Sequence, residues 1–304
     1  MRTLRGRRIA VTGATGFLGR YIVDALLSRG AQVIGVVRNP DRVPALRDKG
    51  VDLRRADLGE PEALLRSFTG AEAVVSNAAM VSFSPRSWRE TVRTNVEGTE
   101  NVFRAAAKAG VARAVQISST STYRGHQPPV DESHPQHDAE TSPTRWNAYG
   151  LSKALSETRA RTLSEELGIG LTALRPPGIF GAFDTTFTRV HKRFMHVRPV
   201  TLYPSLMRLC LVYAGDVAEA VALSLEKDAA VGAAYNVAGE DRTTFEFARA
   251  WQRQDPKAAR FVIPVPFPHR RIYSTEKLRR ELGWAPRSYE DAIREVLASE
   301  AKES

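Results

Sequence analysis

Tyr149 and Lys153 stand four residues apart in the run Tyr-Gly-Leu-Ser-Lys. On a helix that spacing places both side chains on one face, a turn apart. A free phenol titrates near pH 10, roughly, which makes it a poor base at neutrality. A neighbouring ammonium favours the phenolate and lowers that value. The pair is therefore a candidate device for moving a proton. Tyr-x-x-x-Lys is also an ordinary amphipathic pattern, so its surroundings must decide. A second source of chemistry is Ser118-Ser119-Thr120-Ser121-Thr122, five hydroxyl residues in a row. A hydroxyl there can polarise a substrate carbonyl, or orient a substrate hydroxyl for Tyr149. Spacing alone does not choose among the five.

A glycine turn supplies the context. Thr12-Gly13-Ala14-Thr15-Gly16-Phe17-Leu18-Gly19 has the form G-x-x-G-x-x-G and lies between an apolar strand-like run and a helical pattern. Glycines allow the tight turn and let the backbone approach a pyrophosphate. The helix beyond offers unpaired N–H donors and a favourable dipole. Gly13, Thr15, Gly16, Phe17 and Leu18 are thus expected against a dinucleotide.

The end of the second strand distinguishes the two nicotinamide dinucleotides. An acidic residue there would hold a ribose 2′-hydroxyl, whereas an arginine suits a 2′-phosphate. Val37 is followed by Arg38-Asn39-Pro40, with no carboxylate before Asp41. NADP(H) is therefore the favoured cofactor, with Arg38 as its phosphate clamp; NAD(H) remains possible. Asp57, after the third strand, can accept a hydrogen bond from an adenine amino group. Asn77-Ala78-Ala79, after the fourth, offers small residues where a ring or ribose could approach.

These residues need a scaffold, and the hydrophobic pattern provides one. Strands are predicted at 8–12, 32–37, 52–55, 73–76, 114–118 and 170–174. Helical periods fall at 18–28, 44–48, 62–68, 88–109 and 149–167. Alternating β and α at this spacing predicts an α/β doubly wound parallel sheet, a Rossmann arrangement, with helices on both faces. The strands are nearly continuous apolar runs, as suits a sheet covered on both sides. After Arg175 the pattern loosens. Residues 180–208 show weak periodicity, 209–213 and 234–237 read as strands, and 216–226 and 243–251 as helices. A Pro-rich run at 263–268 and terminal helices at 275–282 and 288–299 follow. The predicted division is a dinucleotide-binding domain over 1–175, with 209–238 returning to it. Residues 176–208 and 239–304 would form a small C-terminal α/β substrate lobe.

Composition bounds the rest. The chain has 304 residues, 42% of them hydrophobic and 26% charged, within the range of a water-soluble domain. It has no apolar run of membrane-spanning length and no leader-like h-region, so a cytoplasmic protein without a membrane partner is expected. One cysteine, Cys210, rules out a disulfide framework or a cysteine-cluster metal site, and it reads as a buried apolar filler. Net charge is +10, and only eight of the 44 basic residues are lysines. The charges are scattered without nucleic-acid motifs, so no nucleic-acid partner is expected and a phosphate-bearing small molecule is the sharper reading. His126, His134 and His137 with Asp131 and Glu132 match no familiar ligand spacing, so no metal is expected. They lie in the polar, Pro-rich stretch 124–146, which reads as a wall of the substrate pocket. Arg189, Lys192, Arg193 and His196 fall at helical spacing, as an anion grip or as a solvated face.

Taken together, the motifs resemble those of the extended short-chain dehydrogenase/reductases, the NAD-dependent epimerase/dehydratase superfamily. The likeness runs through Thr12–Gly19, Asp57-Leu58, Asn77-Ala78-Ala79, Asn95 in Thr-Asn-Val-Glu-Gly-Thr, Ser118-Ser119-Thr120 and Tyr149…Lys153. It continues in Leu174-Arg175-Pro176, Asp216-Val217-Ala218 and Leu282-Gly283-Trp284. The resemblance implies that Thr120 is the catalytic hydroxyl, Tyr149 the general acid/base and Lys153 its electrostatic partner. It implies that Asn95 organises a water and the lysine, that Leu58 lies with Asp57 at the cofactor, and that the stretch from Pro176 to Ile179 contacts the nicotinamide amide. Related proteins pair helices like 88–109 and 149–167 between subunits, which implies a homodimer.

Within that superfamily the substrate lobe separates the branches. Nucleotide-sugar enzymes hold a pyrophosphate with basic residues. The first such place falls on Leu209, one residue from Arg208, and the second falls in Phe261–Pro266, which is apolar. That composition resembles the reductase and hydroxysteroid-dehydrogenase branches. Hydride transfer between NADP(H) and a ketone or secondary alcohol is therefore expected. The alternatives are a nucleotide-sugar epimerase or dehydratase with bound NAD(P), toward which Thr120 leans, and a non-catalytic dinucleotide sensor, against which the Tyr/Lys pair argues.

Overall fold

The protein was analysed as a computed structural model, which describes residues 3–82, 84–125, 127–197 and 199–303. The first part runs β1 (Arg8–Thr12), α1 (Phe17–Ser28), β2 (Gln32–Val37), α2 (Pro44–Asp48), β3 (Asp52–Arg55), α3 (Pro61–Phe68), β4 (Ala73–Ser76), α4 (Trp88–Val92), α5 (Gly98–Lys108), β5 (Arg113–Ile117), α6 (Ala148–Leu167) and β6 (Gly170–Arg175). The second runs β7 (Ile179–Phe180), α7 (Phe187–Met195), β8 (Val200–Pro204), β9 (Met207–Arg208), β10 (Val212–Tyr213), α8 (Ala214–Glu226), β11 (Ala234–Asn236), α9 (Thr244–Gln254), β12 (Phe261–Val265), β13 (His269–Arg270), α10 (Glu276–Leu282) and α11 (Tyr289–Glu303).

Seven parallel strands make the main sheet in the order β11-β6-β5-β4-β1-β2-β3. Strand order reverses between β1 and β4, which opens the crevice at the strands' carboxyl ends where such sheets bind ligands. Alternate residues of β1 feed the two faces. Ile9 and Val11 join Ile22 and Leu26 of α1 and Val217 and Val221 of α8. Ala10 joins Leu64 and Phe68 of α3, Phe103 of α5 and Leu163 of α6 on the other side. Both faces are thus covered, as the unbroken apolar strands require. β11 returns the chain to the sheet by pairing Ala234 with Ala173.

Four segments differ from the sequence reading. The predicted helix 88–109 contains a π-helical turn at Arg93–Glu97 between α4 and α5, with Asn95 inside it. The predicted strand 209–213 keeps only Val212–Tyr213, because Cys210 takes a left-handed φ of 47°. Residues 180–208 hold α7, β8 and β9, whose apolar spacing is masked by arginines. The first half of the Pro-rich run, 263–265, belongs to β12, which pairs in parallel with β8. Pro264 is accommodated there because a two-stranded ribbon leaves one side of each strand unpaired.

A separate aromatic core holds the second part together, with Phe180, Tyr213, Phe247, Trp251 and Tyr289 buried in contact. Phe180 and Phe247 meet edge-on at 5.0 Å.

Candidate active site

The crevice is stitched shut at its base by Thr12. Its hydroxyl accepts from Asn77 N and Ala78 N, both at 3.1 Å, and reaches Val75 O at 3.4 Å. The Asn77 amide donates to Gly13 O at 3.2 Å. Gly13 has φ +66°, and a Cβ there would lie 3.0 Å from Ala78 Cα. A Cβ on Gly19 would lie 2.1 Å from Gly13 O. Only glycines allow this turn to close on β4 and α1. The first turn of α1 has neither a capping side chain nor an acidic residue, which leaves its donors and positive end open to an anion. Thr15 and Gly16 are exposed at the mouth, Phe17 is half-buried, and Leu18 turns its side chain into the core. Leu18 can therefore meet a phosphate only through its backbone N–H. The cradle fits the pyrophosphate of a nicotinamide dinucleotide.

Around it, Arg38 is exposed and makes no ion pair among the described residues. Asp57 is exposed, and its Oδ1 accepts from Gly59 N at 2.9 Å. Leu58 is half-buried against Gly98, where a Cβ would come within 3.0 Å of it. Ala78 is half-buried and Ala79 exposed. A cavity of about 480 Å³ opens beside Thr15, with Arg20, Arg42, Lys49 and Phe183 in its wall. Arg20 and Arg42 were not singled out by the sequence, because nothing in a scattered arginine-rich chain marks them.

The candidate acid–base residues Tyr149 and Lys153 lie on α6. A Cβ on Gly150 would lie 2.0 Å from Ser121 O, so this glycine lets the helix touch the hydroxyl run. Tyr149 is half-buried. Burial pushes its phenol up to about 12, against the pull of a hydrogen bond with the Ser119 side chain. Lys153 is buried, and its Nζ donates to Ile117 O at 2.6 Å. Burial pushes this amine down to about 8, against the raising effect of Glu157. The phenol is thus not lowered as the sequence suggested, because desolvation of the phenolate outweighs the Ser119 hydrogen bond, and Lys153 directs its Nζ to Ile117 O.

The hydroxyl run divides its work. Ser119 faces Tyr149 and accepts from Ser121 N at 3.1 Å. Thr120 is buried, its N–H donates to Pro176 O at 3.0 Å, and its side chain hydrogen-bonds Tyr273. Thr120 thus ties the run to the stretch Pro176 to Ile179, of which Pro176 is buried and Ile179 half-buried. Asn95 is buried; its Oδ1 accepts from Met80 N at 2.7 Å, and its Nδ2 donates to Met80 O at 2.9 Å and Ser152 Oγ at 3.0 Å. It clamps the chain after β4 to α6, immediately beside Lys153.

Beneath the lysine lies a polar network that the sequence reading missed. Glu157, one turn after Lys153, pairs with Arg175 at 2.5 Å and accepts from Ser118 Oγ at 2.6 Å. Arg175 donates to the Tyr123 hydroxyl at 2.9 Å, which in turn donates to Asn236 Oδ1 at 2.7 Å. Burial opposes both charges, yet their mutual hydrogen bonds hold Glu157 below and Arg175 above their ordinary ranges. The available signal was the i, i+4 continuation from Tyr149 through Lys153 to Glu157.

Other expectations resolve more simply. Cys210 is buried against Tyr123, Val130 and Tyr273, and burial pushes its thiol up to about 11. His126 lies outside the described residues. His134 is paired with Asp131 at 3.0 Å, and no cluster of potential metal ligands occurs among the described residues. In the basic cluster, Lys192 pairs with Glu300 and His196 with Asp255, while Arg189 and Arg193 are exposed.

A Rossmann sheet with a glycine cradle at its switch point and a Tyr/Lys pair beside it defines an extended short-chain dehydrogenase/reductase, an NAD(P)-dependent enzyme. The model of the NAD dependent epimerase/dehydratase family matches residues 9–238, and the chain belongs to that family. It is 27% identical to 2-alkyl-3-oxoalkanoate reductase of Stenotrophomonas maltophilia (strain K279a), over 97% of this chain and 99% of the relative. It is 30% identical to 3-beta-hydroxysteroid dehydrogenase of Mycolicibacterium neoaurum, over 80% of this chain and 68% of that protein. A solved UDP-glucose-4-epimerase from Stenotrophomonas maltophila, with bound NAD and formylated UDP-arabinopyranose, superposes with a TM-score of 0.81 at 19% identity, over 98% of each chain.

Proposed function

We propose that the protein is an NADP(H)-preferring oxidoreductase that interconverts a ketone and a secondary alcohol. The observation that carries the choice of reaction is the state of the two places where a sugar nucleotide's pyrophosphate would need cations. Arg208 is engaged by Asp241, through the carbonyl at 2.7 Å and the carboxylate at 2.9 Å. The stretch Phe261–Val265 forms an apolar strand with no cation in it. Neither of these two places offers a free cation to a diphosphate, which supports a ketone or alcohol substrate over a sugar nucleotide, since a buried diphosphate left unpaired would be costly.

Arg38, exposed and without an acidic partner among the described residues, supports a 2′-phosphate, as does Arg42 in the cavity beside Thr15. Gly13, Gly16 and the backbone of Thr15, Phe17 and Leu18 would hold the pyrophosphate. Asp57, Leu58, Asn77, Ala78 and Ala79 would line the adenosine side, and Pro176 and Ile179 the nicotinamide side. The dinucleotide would supply or accept a hydride at its nicotinamide ring. In the reductive direction the Tyr149 phenol gives its proton to the carbonyl oxygen, and in the oxidative direction the phenolate takes the alcohol proton. The Ser119 hydroxyl, already bonded to the phenol, orients that oxygen; Thr120, which the family resemblance selects, positions the run against Pro176 and Tyr273. The Lys153 ammonium supports negative charge on the phenolate, and Asn95 positions Lys153 through α6. A cytoplasmic homodimer completes the reading, with 176–208 and 239–304 as the substrate lobe.

The test is NADPH oxidation followed at 340 nm with 3-oxo esters, aryl aldehydes and 3-oxosteroids. Turnover of a ketone that falls at least about 100-fold in Y149F, with dinucleotide affinity kept, supports the reading. Interconversion of UDP-sugars without net absorbance change would replace it with epimerisation.

A further inference from the structure

The chain has no acidic residue between Asp184 and Asp216, and none between Asp255 and Glu276. Those two segments contain nine arginines and lysines, nearly the whole net charge of +10. They fold against each other. β8 pairs with β12 and β9 with β13, and Phe261 N donates to Pro199 O at 3.0 Å, which joins the end of α7 to the start of the ribbon.

The same surface is apolar where solvent should favour polar groups. α7 buries Thr188, His191 and Met195 and turns Val190 and Phe194 outward, exposed by 52% and 55%, and Val197 just past its end is 53% exposed. Val190 and Phe194, one turn apart, share the outward face of the helix. The ribbon repeats this with period two. Thr201 and Val262 face inward, while the cross-strand pairs Phe261–Val200 and Ile263–Leu202 face outward. Among the described residues, ten of the fourteen exposed large hydrophobic side chains lie in these two segments, so they are concentrated here and not scattered. Arg189 and Arg193 border that helical face, Arg260 lies 5.3 Å from the Phe261 ring, and Arg270 is exposed on β13. None of these four arginines makes an ion pair among the described residues.

We propose that this face of the small lobe docks peripherally on an anionic lipid bilayer. Phe194, Leu202 and Ile263 enter the boundary between headgroups and acyl chains, and the unpaired arginines meet lipid phosphates while their stems lie along the apolar surface. A second copy of this chain, meeting the face symmetrically, would set Arg189, Arg193, Arg260 and Arg270 against the same four cations. Nucleic acid would satisfy the arginines but not an aliphatic stripe. A bilayer satisfies both and needs no shaped groove, and neither of the two main cavities lies on this face. The sequence excluded a membrane partner on the absence of a spanning segment. No helix among the described residues is long and apolar enough to cross a membrane, and peripheral docking requires none.

Flotation of the whole chain with lipid vesicles tests this. The protein is expected to float with phosphatidylcholine vesicles containing about 30% phosphatidylglycerol, not with pure phosphatidylcholine, and binding should fall at least about tenfold as salt rises from low to high. R189E/R193E and L202D/I263D should each lose at least about tenfold of that binding, with melting temperature and dinucleotide affinity unchanged. R189Q/R193Q serves if a charge reversal disturbs folding. Three results overturn the proposal: no flotation with anionic vesicles, flotation indifferent to the variants, or a concentration-dependent dimer that L202D/I263D dissociates.

Discussion

The Glu157 carboxylate and the Arg175 guanidinium meet at 2.5 Å on the helix turn below Lys153, and each is at most 4% exposed. A buried pair of this kind is not a large source of stability, but removing one partner strands the other charge. E157Q should therefore cost about 3–5 kcal/mol. For a chain of this size that lowers the melting temperature by about 10 °C. E157Q/R175M should recover at least half of that loss. Thermal melts of the three proteins decide it, and equal melting of E157Q and the parent would show that the network does not carry the pair.

The same carboxylate partly offsets the burial of Lys153, whose amine is pushed down to about 8 even so. In the proposed mechanism, ketone reduction needs a protonated Tyr149 and a charged Lys153. The phenol, held near 12, remains protonated across the working range, so the lysine sets the alkaline limb. The reduction rate should be level below pH 8 and fall above it. In K153R the rate should be lower throughout, but the fall near pH 8 should vanish, since a guanidinium does not titrate there. In E157Q the limb should move to lower pH. A limb unmoved in both variants would assign it to another group.

Ser119 and Thr120 can be separated by single substitutions, because each hydroxyl has its own partner. S119A removes the group bonded to Tyr149 and should lower kcat about 10- to 100-fold. T120A removes the bond to Tyr273 and should lower kcat less than S119A does. Steady-state kinetics on one ketone suffices, and the reverse order would return the orienting role to Thr120.

Arg38 stands just beyond β2 with no acidic partner among the described residues. A charge-assisted phosphate contact contributes about 1.5–3 kcal/mol. R38A should therefore weaken NADPH binding by roughly 10- to 100-fold and leave NADH nearly unaffected. Titration by fluorescence gives both constants. Equal or tighter binding of NADH by the parent would refute the assignment.

The parallel sheet was legible because each strand is an unbroken apolar run between turn residues. β1 to β4 fall where the pattern puts them, and β5 and β6 differ by one residue at their ends. The glycine cradle was legible because Gly13 and Gly19 are dictated by close backbone approaches that no side chain allows. The second part was not. Cys210 breaks a good strand pattern with a left-handed backbone that its residue type does not announce. α7 was obscured because its outward stripe is apolar and arginines interrupt it. Arg175 was legible only as part of the Leu174-Arg175-Pro176 motif and Glu157 not at all, since only the folded chain shows that they neutralise each other in the interior.

His191 shows how such a buried polar group shapes the lobe's response to acid. It packs 4.8 Å from the Phe247 ring and 4.9 Å from Trp251, with Nδ1 bonded to the Tyr203 hydroxyl and Nε2 buried without a partner. Burial pushes its imidazole down to about 3; His196 and Lys192 add to the effect, and Asp255 opposes it. The folded state thus keeps His191 neutral, while the unfolded chain protonates it below about pH 6.5. Between pH 3 and 6.5 the unfolded state binds more protons, so stability rises with pH across that window. At pH 5 the loss relative to neutrality should be about 2 kcal/mol from this residue. H191F leaves the Tyr203 hydroxyl unpaired and should melt at or below the parent temperature at pH 7.5, yet lose less on acidification. Melting curves of both proteins from pH 7.5 to 5 give the difference in slope, and parallel lines would place the acid sensitivity elsewhere.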